Sequence, residues 1–102
     1  MQSKNKFYVK VHSLRENKVV AICDEEILGK KFENEDCNIE IKDSFYKGEL
    51  KGEKEVMHIL KIAPNINLVG ERTIGLAINL GIINEEDTIK IGNTKHAQTF
   101  QL

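Results

Sequence analysis

The chain has 102 residues, 40% of them hydrophobic and 30% charged, and its 15 Lys+Arg against 16 Asp+Glu leave a net charge of −1. That length makes a single domain, residues 1–102, able to bury a core without staples. The charge balance argues against wrapping nucleic acid through a bulk basic excess, while leaving room for a local basic patch.

The N-terminal stretch "MQSKNKFYVKV" carries lysines but no apolar core followed by small residues, so no secretory peptide is expected. No apolar run is long enough for a membrane-spanning helix, and a cytoplasmic protein with no membrane partner is expected. Residues 1–6 and 99–102 read as flexible ends. Cys23 and Cys37 cannot form a disulfide framework. Two free thiols are the simpler reading, with a single bridge between them as the alternative.

"KFYVKVH" alternates, with Phe7, Val9 and Val11 on one face and Tyr8, Lys10 and His12 on the other, as in a half-buried strand. "SLRENK" is a polar turn without a tight two-residue signature. "VVAICD", residues 19–24, is apolar on both faces and reads as an interior strand forming a hairpin with the first. Asp24 is placed to cap a short helical turn, with Glu25 and Glu26 at its positive end and Gly29 closing it. Ile39 and Ile41 mark a third strand, and "SFYKGEL" is a turn with two aromatic residues. From Glu53 the period changes: Val56, Ile59, Leu60 and Ala63 lie at helical spacing, with Pro64 as the stop. The spacing of Ile66, Val69, Gly70, Thr73, Ile74, Ala77 and Leu80 predicts a second helix, with Gly81 at its C-terminus. A short strand at 89–91 precedes a polar tail in which Phe100 is the one core candidate. Strands followed by helices indicate an α+β two-layer sandwich: a mainly antiparallel sheet of about four strands, covered on one face by two helices.

The candidate chemistry is sparse. His12, Cys23, Cys37, His58 and His96 include no Cys-x-x-Cys or His pair at i, i+4, so no metal is expected. Cys23 and His12 would sit at opposite ends of the paired strands, too far apart to make a thiolate pair. Gly70 and Gly75 belong to no phosphate-binding fingerprint. A glycine at position 70 costs about 1 kcal/mol inside a helix. Close packing would offset that cost, as would a helix start at Gly70 capped by Asn65 or Asn67 with Glu71 in the first turn. A carboxylate there opposes an anion site. Tyr8, Lys10 and His12 on one strand face combine cations with an aromatic ring, a combination suited to RNA phosphates and bases, against the simpler reading of a solvated outer face.

The blocks "YVKVH", "VAICDEEILGKKF", "FYKGEL", "NLVGERTIGLAINLGII" and "HAQ" resemble, in this order, the small archaeal proteins of the domain of unknown function 424 family, over about Phe7 to Gln98. The resemblance implies a two-layer α/β sandwich in an archaeal cytoplasm, with a link to the translation machinery and no catalytic mechanism. It singles out Cys23, Asp24, Asn67, Glu71, His96 and Gln98. "MQSKNK" and the final "TFQL" read as departures from a minimal member.

The expected function is therefore a non-enzymatic binding module for RNA or a ribonucleoprotein such as the ribosome. No catalytic residue and no cofactor are assigned, and the oligomeric state is left open. Tyr8, Lys10, His12, Cys23, Asp24, Asn67, Glu71, His96 and Gln98 are the binding candidates. One alternative is a small enzyme using Asp24, Glu71 and His96 as acid and base groups. Another is a structural adaptor or homodimer joined through a strand edge or the helix pair.

Overall fold

The computed structural model describes residues 6–99. It places β1 (Lys6–Leu14), β2 (Asn17–Asp24), β3 (Lys31–Glu33), β4 (Asn38–Glu40), α1 (Asp43–Tyr46), β5 (Glu49–Gly52), α2 (Glu53–Ile62), β6 (Ile66–Val69), α3 (Glu71–Asn79), β7 (Ile89–Ile91) and β8 (Thr94–Thr99) in chain order. The expected α+β class holds, but the main sheet has six strands rather than four, in the order β5-β1-β2-β6-β8-β7. It is mixed, because β2 and β6 pair in parallel while the remaining neighbours are antiparallel. Lys6 and Thr99, expected in flexible ends, lie in strands; residues 1–5 and 100–102, with Phe100, fall outside the described residues.

Two readings change for identifiable reasons. Ile66–Val69 is a strand, and the helix begins only at Glu71. All four residues of "INLV" are buried, as in an interior strand covered on both faces. Ile66 and Val69 merely extend the helical spacing of α3 backwards by coincidence. The polar tail is β8: Ala97 packs into the core on one face, which Lys95 and Thr99 share, and Thr94, His96 and Gln98 alternate to the other. The β1–β2 connection is a two-residue turn after all, closed by Leu14 opposite Asn17, with Arg15 at φ 58° instead of the customary glycine or asparagine.

One sheet face packs on the helices. Phe7, Val9, Val20, Ile22, Leu68 and Ala97 meet Val56 and Leu60 of α2 and Ile74 and Ala77 of α3. The opposite face is not bare, as a two-layer sandwich would leave it. Ala21, Cys23 and Val69 lie under Ile41, Tyr46 and the apolar side chains of the β3–β4 hairpin. That hairpin is a separate two-stranded sheet rather than a further strand of the main one. No helix among the described residues is long and apolar enough to cross a membrane.

Candidate functional site

Parallel pairing of β2 with β6 brings the end of β2 beside the start of α3. Asp24, the last residue of β2, is 2% exposed. Its carboxylate accepts hydrogen bonds from the Arg72 amide (3.0 Å), the Thr73 amide (2.8 Å) and the Thr73 hydroxyl (2.6 Å). Asp24 thus caps α3 from a distant strand, its charge set against the positive end of the helix; it does not cap the short turn that follows it, nor do Asn65 or Asn67 cap α3. Gly70 turns the chain between strand and helix at φ 114°, and a Cβ there would lie about 2.6 Å from both carboxylate oxygens. The glycine is required by conformation and by the closeness of Asp24 together. The helix N-terminus, where an anion would otherwise bind, is filled by the protein's own carboxylate.

Arg72 extends this arrangement. Its Nε and Nη2 reach the Glu26 carboxylate, Nη2 also donates to the Lys6 carbonyl (2.9 Å), and the guanidinium lies 4.6 Å from the centroid of the Phe7 ring. The hydrogen bonds from Arg72 hold the Glu26 carboxyl below its ordinary range. Glu71 is exposed in the first turn of α3.

The other sheet face carries the remaining candidates. Alternation along β1, β2, β6 and β8 places Tyr8, Lys10, His12, Cys23, Asn67, His96 and Gln98 on that face. Across the strands Tyr8 lies opposite Cys23, Cys23 beside Val69, and Val69 opposite His96. In the next row Lys10, Ala21, Asn67 and Gln98 follow one another. The short helix α1 lies over this surface and is fastened to it by side chains. Lys10 Nζ donates to the Ser44 carbonyl (2.7 Å), and His12 Nε2 donates to that of Phe45 (2.8 Å). The His12 and Phe45 rings stack at 4.4 Å and 17°, and Phe45 meets Tyr46 edge-on at 4.9 Å. The Tyr46 hydroxyl donates to Asn67 Oδ1 at 2.6 Å, and His96 Nε2 donates to the same oxygen at 3.1 Å. Burial lowers the His96 pKa, which keeps the imidazole neutral, and raises that of the Tyr46 hydroxyl, with the nearby Cys23 adding to the rise. Burial, helped by the charge on Asp24, pushes the Cys23 thiol up to about 12, so it is a poor nucleophile. Both cysteines are free.

The blocks around Cys23, Asn67 and His96 are therefore brought together on adjacent strands. Asp24 and Glu71 are not part of that group: Asp24 turns to the helix side, and Glu71 lies at the head of α3. Asp24, Glu71 and His96 do not converge as an acid–base set. His12 and Cys23 are separated by four residues in register, about 13 Å along the strands. Among the described residues no group of three or more His, Cys, Asp or Glu side chains is placed to hold a metal. Sequence reasoning missed Phe45 and Tyr46 as site residues. Their signal was the paired aromatics of "SFYKGEL", read only as a turn because nothing local shows that they fold back over β1 and β6.

A six-stranded mixed sheet with helices on one face and a hairpin and strap on the other defines a small α+β domain whose polar row crosses the central strands. The chain belongs to the family described as "Protein of unknown function (DUF424)", whose model matches residues 12–102 and so includes the final "TFQL". An uncharacterized conserved protein from Methanopyrus kandleri, known from its crystal structure, has a similar fold: TM-score 0.76 at 22% identity, over 95% of this chain and 92% of that one. No curated protein matches the chain.

Proposed function

We propose that the protein is a non-enzymatic binding module for single-stranded RNA, free or within a ribonucleoprotein such as the ribosome, in an archaeal cytoplasm. The observation that carries this reading is the stacked His12–Phe45 pair, half-buried, beside the cations Lys10, Lys42 and Lys47. Lys42 and Lys47 are exposed at the two ends of α1. Asp43 in the same turn opposes them, whereas Glu49 is engaged by Lys51 at 3.0 Å. Aromatic platforms ringed by cations take bases by stacking and phosphates by charge. With a net charge of −1, contact is confined to this patch. Lys10 and His12 serve partly to fasten α1, so they hold the platform in place as well as lining it.

The test is fluorescence anisotropy of a labelled single-stranded RNA across a salt series, alongside co-sedimentation with ribosomal particles. Lys42→Ala and Lys47→Ala should each flatten the log–log salt dependence by about 0.7 if each contacts one phosphate. Phe45→Leu should weaken binding by about 1–3 kcal/mol through lost stacking. No binding and no co-sedimentation at low salt would sink the proposal.

A second reading, self-association, is favoured by the β1 edge beyond the end of β5. Val11 is 55% exposed there, beside an open groove of about 340 Å³ lined by Val9, Val20 and Ile59. Light scattering decides it: a particle of 11.6 kDa at all concentrations rules the dimer out.

A further inference from the structure

Asn67 is buried in the middle of the sheet, yet its amide is only half used. Oδ1 accepts from both Tyr46 and His96, which leaves Nδ2 as a donor without a partner among the described residues. His96 gives its Nε2 proton to Asn67, so its Nδ1 is an acceptor, again without a partner among the described residues. Asn67 is 8% exposed and His96 is half-buried. Gln98 is exposed directly opposite Asn67 in register and offers both a donor and an acceptor. None of these groups carries a charge that would attract a phosphate, so the row is built for hydrogen-bond reading rather than for electrostatic capture.

Its position relative to the aromatic platform is fixed by the sheet. His12 lies on β1, Asn67 two strands away on β6, and His96 and Gln98 three strands away on β8, about 10 Å and about 14 Å at the usual strand spacing. Tyr46 joins the two regions, following Phe45 in the chain and bonding Asn67. A base stacked at Phe45 is too small to reach β8, so whatever meets the row is a different nucleotide of the same strand.

We infer that the Asn67–His96–Gln98 row reads the hydrogen-bonding edge of an unpaired base, giving the RNA site a base preference separate from the lysine and aromatic contacts that supply affinity. The inference rests on the RNA-binding reading above. RNA strands pass over the outer side of α1 toward β8, with phosphates near Lys42 and Lys47 and one base directed at the row.

The test compares the full chain with Gln98→Ala and His96→Gln for binding to four labelled RNA homopolymers of equal length. The wild type should distinguish its best from its worst homopolymer by about tenfold, as one hydrogen-bonded base contact provides. Gln98→Ala, a substitution of an exposed side chain, should reduce that ratio severalfold and leave the salt dependence unchanged. Lys47→Ala should weaken all four equally. Equal binding of the four homopolymers by the wild type overturns the inference and leaves RNA binding standing, as does a preference that survives both row variants. Absence of binding to every homopolymer overturns both readings.

Discussion

Gly70 and Asp24 show what one residue costs another. The glycine occupies a left-handed conformation against the carboxylate that caps α3. Gly70→Ala should therefore destabilise the protein by about 2–4 kcal/mol, from backbone strain and displacement of the cap. Gly75, inside the same helix, has open space where its Cβ would stand. Gly75→Ala should instead stabilise by about 0.5–1 kcal/mol, and urea denaturation of the two variants measures the contrast. His96 sets a pH dependence of known sign. Burial lowers its pKa in the native state, so below its unfolded value the unfolded chain binds the extra proton. Stability should fall as pH drops from about 7 toward about 5. His96→Gln should flatten that part of the profile, read as urea midpoints at each pH.

At the scale of elements, one edge of the sheet is closed by a side chain. On β7, Asn34 from the β3–β4 hairpin takes the place of a neighbouring strand: its Nδ2 donates to the Lys90 carbonyl at 2.7 Å, and its Oδ1 accepts from the Gly92 amide. One side-chain amide satisfies two backbone groups at this edge, which blunts an otherwise adhesive strand. Asn34→Ala should cost less than about 1 kcal/mol, since the groups freed reach water, but it should speed amide exchange at Gly92 and raise self-association in light scattering. The elements themselves were unequally legible. β1 and α2 follow from the periodicity of "KFYVKVH" and of Val56–Ala63, and β2 from the continuous apolar run of "VVAICD". β6 and β8 did not: "INLV" shares its spacing with the helix after it, and "TKHAQT" shows one buried apolar side chain, Ala97, as a strand pairing on both edges.

Over the whole molecule, the sheet separates two apolar clusters, and the buried thiol of Cys23 belongs to the one beneath α1 and the hairpin. Cys23 is 0% exposed and pushed up to about 12, so thiol reagents reach it only through large-scale opening. Cys37, half-buried at the hairpin turn, should label first. Cys23 should label at a rate that tracks global stability across a denaturant series; fast labelling in native buffer would mean that α1 and the hairpin lift off independently.

The sequence by itself determined the α+β class, the hairpin of a half-buried and an interior strand, and an amphipathic α2, because those properties reside in composition and in spacings within a dozen residues. Which face each candidate occupies was decided by the tertiary structure. Asp24 became the cap of a helix 47 residues further along, and Asn67 was joined to Tyr46 and His96, through the parallel pairing of β2 with β6 and the antiparallel insertion of β8. Strand pairing of this kind depends on the burial of both sheet faces at once, a condition that no single stretch of chain records.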